Sequence, residues 1–299
     1  MVADRKNNKL IVILGPTSSG KTGLSIKLAK KFKGEVVSAD SRQVYKGMDV
    51  GSGKITKKEM AGITHYLLDV ANPKRRFTVA QYQKLALRTI KNIQKKNKIP
   101  FLVGGTGFYI QSVVDSIVIP EVKPDLKLRK KLEKLTTEQL FQKLKKSDPK
   151  RAESIDKQNP RRLIRAIEIV MTTGKPVPNL KSDGQFNCLQ IGIKKSAEEL
   201  KKSIHERLLK RLQKNTMINE VKKLHKSLSW KRLKEFGLEY RFVAQYLQGK
   251  STRQEMINNI QKESEHLVKK QMTWFNRDKR IKWVKNPKEA CVLVKRFLA

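Results

Sequence analysis

The first residues with an evident chemical use form a glycine-rich run near the start of the printed sequence. This run matches the phosphate-binding pattern Gly-x-x-x-x-Gly-Lys-Ser/Thr, in which backbone N–H groups surround phosphate oxygens. In that pattern Lys21 contacts a terminal phosphate and the Thr22 hydroxyl coordinates Mg²⁺. The pattern predicts a polyphosphate site but does not decide whether phosphate is transferred or expelled. The run consists of Gly15, Pro16, Thr17, Ser18, Ser19, Gly20, Lys21 and Thr22.

Two further segments follow predicted strands. Asp40 comes directly after one strand, and the glycine-rich segment 104–109 comes after another. Because the carboxyl ends of parallel strands meet at one edge of a sheet, we expect Asp40 to face the phosphate-binding run. Asp40 can hold Mg²⁺ through water, act as a general base, or cap the next segment together with Ser41. The glycines of 104–109 either admit a ligand close to the backbone or form a plain turn.

The elements that must position these residues alternate between short apolar runs and amphipathic stretches. This alternation is typical of a parallel sheet covered by helices, so the first third of the chain is predicted to be α/β, with a core like that of P-loop NTPases. The predicted strands are 9–14, 35–39 and 99–103, and the predicted helices between them are 23–32 and 77–96.

After Pro120 the pattern becomes helical, which predicts a helical insertion at about 121–185 between two parts of the core, 1–120 and 186–299. The core should resume with strand 188–193, followed by long basic helices over 197–228 and 251–275 and a last strand at 281–284. Within the insertion, the predicted helices are 124–135, 136–146 and 160–171.

Charge and composition narrow the function classes. The 299 residues carry 67 Lys and Arg against 27 Asp and Glu, a formal net charge of +40, so we expect a polyanionic partner, although a lysine-rich proteome is an alternative explanation. The segment 194–234 alone carries 14 basic and four acidic residues, a surface that suits a phosphate backbone. A mean hydropathy of −0.57 and the lack of a long apolar stretch predict no membrane span. The isolated Cys188 and Cys291, together with the lack of an export signal, favour a cytoplasmic protein without disulfide or zinc.

Six segments, read together, resemble the family of tRNA dimethylallyltransferases, also called tRNA isopentenylpyrophosphate transferases. The similarity runs in a consistent order from about Leu10 to about Val284. No zinc-binding extension follows Trp274, so a bacterial-type member is expected. Two departures are Ser52, where the family commonly has Thr, and Lys270, where it commonly has Arg. The six segments are 15–22, 40–51, 104–109, 159–168, 236–241 and 269–275.

The resemblance implies transfer of a dimethylallyl group from its diphosphate to N6 of the adenosine just 3′ of the anticodon. The diphosphate is then a leaving group, stabilised by the phosphate-binding run and Mg²⁺. Arg207 and Arg211 lie four positions apart, on one face of a predicted helix, and are expected to bind the diphosphate or the RNA backbone. Asp40 is implied to be the general base, and Thr17 to lie near the attacking nitrogen. The implied tRNA contacts are Asp40, Ser41, Arg42, Gln43, Thr106, Arg129, Arg161, Arg162, Leu163, Ile164, Arg165 and Arg241.

Three rival functions stay open on the sequence alone. An enzyme that prenylates free adenine nucleotides would not need so extended a basic surface. A small-molecule or RNA kinase would use the same loop for phosphoryl transfer, and a non-catalytic RNA-binding protein would retain only the fold. For the resembling enzyme we expect a monomer whose partners are the tRNA anticodon stem-loop and dimethylallyl diphosphate.

Overall fold

The computed structural model describes residues 8–178 and 184–299. Residues 1–7 and 179–183, which the predicted domain ranges include, lie outside the described residues. The described residues form two compact units, one within 1–114 and 184–299 and the other within 115–183. These limits differ by a few residues from the predicted core and insertion.

A single sheet organises the first unit. Its six strands in the described residues all run parallel, in the spatial order β3-β2-β4-β1-β5-β6. In this register Leu14 pairs with Gly104, which pairs in turn with Ala39, so three strands end at the same level. The strands are β1 (Lys9–Leu14), β2 (Gly34–Ala39), β3 (His65–Tyr66), β4 (Ile99–Gly104), β5 (Asn187–Ile193) and β6 (Lys282–Val284).

Helices cover both faces of the sheet and make up most of the second unit. The fourteen α-helices of the described residues are α1 (Lys21–Lys31), α2 (Lys57–Met60), α3 (Val79–Lys95), α4 (Gly107–Val114), α5 (Leu126–Leu132), α6 (Thr137–Ser147), α7 (Pro149–Ser154), α8 (Pro160–Thr173), α9 (Ala197–Leu212), α10 (Thr216–His225), α11 (Trp230–Glu235), α12 (Leu238–Leu247), α13 (Arg253–Phe275) and α14 (Pro287–Leu298). Among the described residues, no helix is long and apolar enough to span a membrane.

The predicted α/β class and the P-loop-like parallel core are confirmed. Alternate residues of β1 face opposite sides: Leu10 and Val12 join the core that contains α3, α4 and α9–α13, whereas Ile11 and Ile13 pack with α1 and α14. Burial of apolar side chains on both faces explains why β1 is a continuous hydrophobic run.

The long helix predicted over 197–228 was wrong, because the chain is interrupted at 213–215. Lys214 and Asn215 have φ angles of 50° and 54°, in the left-handed region, where an α-helix of L-residues does not continue. The break separates α9 from α10 and lets α10 pack against α12. The sequence analysis also did not predict the short β3 and α2, or α4, α7, α11, α12 and α14.

The second unit is held by its own apolar cluster and by the buried carboxylate of Glu168. Leu132, Leu140 and Leu163 belong to that cluster. The Glu168 side chain has no exposed surface and accepts a bidentate pair from Arg129, with Nε at 2.8 Å and Nη2 at 2.6 Å. Although burial raises the pKa of Glu168, hydrogen bonds from Arg129 and Arg165 outweigh that effect and lower it. Glu168 is therefore ionised at neutral pH.

Replacing Glu168 with glutamine should destabilise the folded protein, because Arg129 and Arg165 lose their buried counter-charge. We expect the free energy of unfolding, measured by urea denaturation, to fall by about 2 kcal/mol, less than for a fully buried pair since both arginines are partly exposed. The control is Glu153→Gln on the exposed surface of α7. Equal stability of the two variants would contradict this role.

Candidate active site

The phosphate-binding run lies between β1 and α1, as the sequence pattern requires. Gly20 has a φ of 91°, a left-handed conformation that glycine adopts without strain, and α1 begins at the next residue. The first N–H groups of α1 and the positive end of its dipole therefore lie at the carboxyl edge of the sheet, where an anion is stabilised. The buried hydroxyl of Ser19 has no hydrogen-bond partner among the described residues.

Lys21 is the one residue of the phosphate-binding run 15–22 with a charged side chain. Burial lowers the pKa of Lys21 to about 8, with the Asp40 carboxylate opposing that shift and the Arg207 guanidinium reinforcing it. Its Nζ donates to the Pro16 carbonyl oxygen at 2.6 Å. The ammonium group is therefore held over the loop, within electrostatic reach of both an acid and another cation.

Asp40 directly follows β2 and has one carboxylate oxygen committed to the backbone. Oδ1 accepts the N–H groups of Arg42 at 2.8 Å and Gln43 at 3.3 Å, so the predicted capping role is part of the structure. Among the described residues no donor contacts Oδ2. Asp40 thus combines a fixed orientation with an oxygen that is available to take a proton, and the capping and catalytic interpretations are compatible.

Thr106 and Gln271 connect the strand ends to one another. Thr106 Oγ1 accepts the Ser41 N–H at 3.0 Å, which ties the segment after β4 to the segment after β2. Gln271, on α13, accepts the Thr17 N–H at 2.9 Å and donates to the Gly105 carbonyl at 2.9 Å. The predicted residues Thr17, Ser41 and Thr106 are therefore brought together.

Arg207, on α9, contacts the phosphate-binding loop, and Arg211 lies one turn further along the same helix. Arg207 Nη1 donates to Ser18 Oγ at 3.2 Å. Burial, together with the neighbouring Arg211, lowers the pKa of Arg207 to about 10, so the group stays charged at neutral pH. Arg211 pairs with Glu239 at 2.9 Å. With Lys21, these side chains concentrate positive charge beside Asp40.

The predicted residue Arg241 lies on α12, the helix whose start is beside the Arg42 side chain. Arg241 pairs with Glu263 at 3.3 Å and its guanidinium lies 4.4 Å from the centre of the Phe242 ring. A Cβ built at Gly237 would lie 3.8 Å from Arg42 Nη2, which places the Arg42 side chain beside the start of α12. The predicted segments 40–43 and 236–241 thus meet in space.

The remaining predicted contacts lie in the second unit and differ in exposure. Arg161 and Arg162 are exposed at the start of α8. Leu163 and Ile164 are buried in the apolar cluster of that unit, so their side chains pack rather than reach a ligand. Arg129 and Arg165 hold Glu168 and keep about a quarter to a third of their side-chain surface exposed, 27% and 33% respectively.

Gln271 is a residue to which the sequence analysis gave no role. It lies 254 positions from Thr17, and only the packing of α13 against the sheet brings the two together. Its membership of the segment 269–275 was the one signal in the sequence. The resemblance of that segment to the family indicated a region of interest, but it did not identify the contact between Gln271 and Thr17.

The fold defines a P-loop-like α/β protein. A phosphate-binding loop follows β1, a carboxylate follows β2, and basic side chains lie close to both. A family model described as IPP transferase matches residues 43–278. This chain belongs to that IPP transferase family, whose similar curated members are tRNA dimethylallyltransferases. The family, the enzyme class and dimethylallyl transfer to tRNA as its reaction, all predicted from the sequence, are confirmed.

Individual relatives match over nearly their whole length. A tRNA dimethylallyltransferase of Carboxydothermus hydrogenoformans is 41% identical over 293 residues, which are 95% of this chain and 94% of the relative. The crystal structure of the tRNA isopentenylpyrophosphate transferase of Bacillus halodurans has a TM-score of 0.73 at 35% identity and covers 97% of this chain and 95% of its own. The corresponding protein of Staphylococcus epidermidis has a TM-score of 0.69 at 30% identity, with coverage of 97% and 98%.

The lowered pKa of Lys21 predicts how anion affinity depends on pH. Below the pKa of about 8 the ammonium is already charged, whereas above it binding must take up a proton, so affinity falls as pH rises. Between about pH 7 and about pH 9, calorimetry should show the affinity of the wild-type protein for inorganic diphosphate falling roughly tenfold relative to that of Lys21→Arg. The titration of diphosphate itself is common to both proteins and cancels. Identical pH profiles would contradict the assignment.

Proposed function

We propose that the chain transfers the dimethylallyl group of dimethylallyl diphosphate to N6 of the adenosine just 3′ of the tRNA anticodon, and releases diphosphate. The observation that carries this proposal is the position of Asp40. Its carboxylate follows β2 at the same sheet edge as the phosphate-binding loop, and Oδ2 has no donor among the described residues. A proton acceptor beside an anion site suits a reaction that expels diphosphate while a nitrogen loses its proton.

The loop that binds the leaving group needs positive charge and free N–H groups. Lys21 and Arg207 supply the charge, the start of α1 supplies N–H groups, and the buried Ser19 hydroxyl is a further donor. The Thr17 N–H is engaged by Gln271, so its contribution is the hydroxyl. We assign diphosphate binding to Gly15, Pro16, Thr17, Ser18, Ser19, Gly20, Lys21, Thr22 and Arg207.

The donor set also fits a magnesium ion. Mg²⁺ commonly keeps several waters and takes only one or two protein oxygens together with substrate phosphates. Thr22 is exposed at the first turn of α1, and the described residues contain no cluster of three acidic or sulfur- or imidazole-bearing side chains that would form a closed metal cage. Thr22 would hold the ion beside the phosphates, where it would neutralise the charge of the departing diphosphate.

The chemical step is an alkyl transfer in which Asp40 receives the proton. The N6 lone pair forms a bond to C1 of the allylic group as the C1–O bond to diphosphate breaks, and the N6 proton passes to Asp40 Oδ2. Diphosphate leaves with the electron pair of the broken bond. To the Thr17 hydroxyl, on the phosphate-binding loop, we assign orientation of the amine.

The target adenine must leave its stack to reach this edge of the sheet, which is least costly in a single-stranded loop. We assign contacts with this adenine to Asp40, Ser41, Arg42, Gln43 and Thr106, which follow β2 and β4. For the tRNA backbone we propose Arg241 and the exposed Arg161 and Arg162, with Arg129 and Arg165 contributing their exposed surfaces. Leu163 and Ile164, which are part of α8, anchor that helix in the apolar cluster of the second unit. We still predict that the protein is cytoplasmic and monomeric and that it binds the anticodon stem-loop.

Incubation with dimethylallyl diphosphate labelled in its prenyl carbons separates the candidate reactions. With unmodified tRNA, label should enter RNA at the adenosine 3′ of the anticodon, and a tRNA with guanosine at that position is the matched control. Label transferred to free adenylate instead, or a requirement for ATP with phosphate appearing on the acceptor, would contradict the proposal.

Replacing Asp40 with asparagine tests the general base. The amide keeps the size and the cap to Arg42 but cannot take the proton, so single-turnover transfer should slow by roughly 10² or more. Binding of tRNA should stay within a few-fold of the wild type, measured by filter binding. Glu198→Gln, which removes an exposed carboxylate at the start of α9, is the control. Normal turnover of Asp40→Asn would refute its role.

A further inference from the structure

One carboxylate accepts hydrogen bonds from three consecutive backbone N–H groups of a single loop. Glu220, on α10, accepts the N–H of Asp49 at 2.8 Å, of Val50 at 2.6 Å and of Gly51 at 2.9 Å. We call residues 49–53 the 49–53 loop. A carboxylate that satisfies three adjacent N–H groups fixes the conformation of that loop, because each bond is charge-assisted.

Tyr240 completes the attachment from a second helix. Its hydroxyl donates to Glu220 at 2.9 Å and accepts the Ser52 N–H at 3.1 Å. The Tyr240 side chain is almost fully buried, with 1% of the residue exposed. Four successive N–H groups of the 49–53 loop are therefore bound by one connected pair of side chains on α10 and α12.

The opposite side of the 49–53 loop contacts residues of the proposed active site. Arg211 Nη1 donates to the Gly51 carbonyl at 3.2 Å, and Gln43 Nε2 donates to the Gly53 carbonyl at 3.2 Å. Gly53 has a φ of 60° and lies so close to the guanidinium groups of Arg207 and Arg211 that a Cβ would collide with both. The 49–53 loop therefore packs directly against both guanidinium groups.

We propose that Glu220 and Tyr240 are positioning residues that act on diphosphate binding through the 49–53 loop and Arg211. Neither residue contacts the phosphate-binding run in the described hydrogen bonds. Their effect is to hold the Gly51 carbonyl where it orients Arg211. This inference rests on the proposed function, since it assumes that Arg211 faces the leaving group.

The mechanism predicts a specific loss in Glu220→Gln. The amide has a single acceptor oxygen and its NH₂ opposes the loop N–H groups, so the loop should shift and release Arg211. We expect the Kd for inorganic diphosphate, measured by calorimetry on the full chain, to rise on the order of tenfold. The KM for dimethylallyl diphosphate should rise similarly, more than kcat falls.

A double-mutant cycle separates positioning from general destabilisation. If Glu220 acts through Arg211, then Glu220→Gln should weaken diphosphate binding little further in an Arg211→Ala background. The matched control is Val294→Ala, which removes buried side-chain volume from the other face of the sheet. At a similar loss of Tm, this control should bind diphosphate like the wild type.

Each outcome decides the proposal. Wild-type affinity in a folded Glu220→Gln variant, additive effects in the cycle, or an equal loss in Val294→Ala would overturn it. Should Glu220→Gln not fold, Tyr240→Phe takes its place: it removes only the hydroxyl and should raise the Kd by a smaller factor that also vanishes in the Arg211→Ala background. If the wild-type protein itself does not bind diphosphate, the proposed function fails along with this inference.

Discussion

The ends of β1, β2 and β4 lie side by side because Leu14, Gly104 and Ala39 are paired across the sheet. The residues that follow these three strands are the phosphate-binding run, Asp40 and the segment that contains Thr106. Buried apolar side chains on both faces fix the register of the strands, and the register fixes where the polar residues meet. The chemistry of the site therefore depends on the apolar packing of the sheet that carries it.

Charge at this edge is concentrated rather than neutralised. The pKa of Lys21 is lowered by burial, and that of Arg207 by burial and by Arg211, so both cations gain when an anion arrives. Asp40 is close enough to oppose the shift at Lys21, which places a carboxylate next to these cations. A diphosphate that leaves and an amine that loses a proton require these two features together.

The sequence predicted the part of this arrangement that is local. β1 was predicted because its six apolar or amphipathic residues precede a glycine-rich motif, and Asp40 because a carboxylate followed another buried run. Contacts between distant segments were not predictable: nothing in the chain indicates that Gln271 binds Thr17, or that Glu220 binds the N–H groups of residues about 170 positions away. The interruption at Lys214 and Asn215 carries no glycine or proline to mark it. By contrast, α14 had a readable start at Asn286 and Pro287, which the sequence analysis did not use.

One site is proposed to hold both the leaving diphosphate and the base for the incoming amine. A crystal structure of the protein with the tRNA anticodon stem-loop and an unreactive thiolodiphosphate analogue of the donor tests it most directly. We expect diphosphate oxygens within hydrogen-bond distance of Lys21 Nζ and the N–H groups at the start of α1, with Asp40 Oδ2 against N6 of an extruded adenine. A diphosphate bound elsewhere, or an Asp40 carboxylate turned away from that adenine, would contradict it.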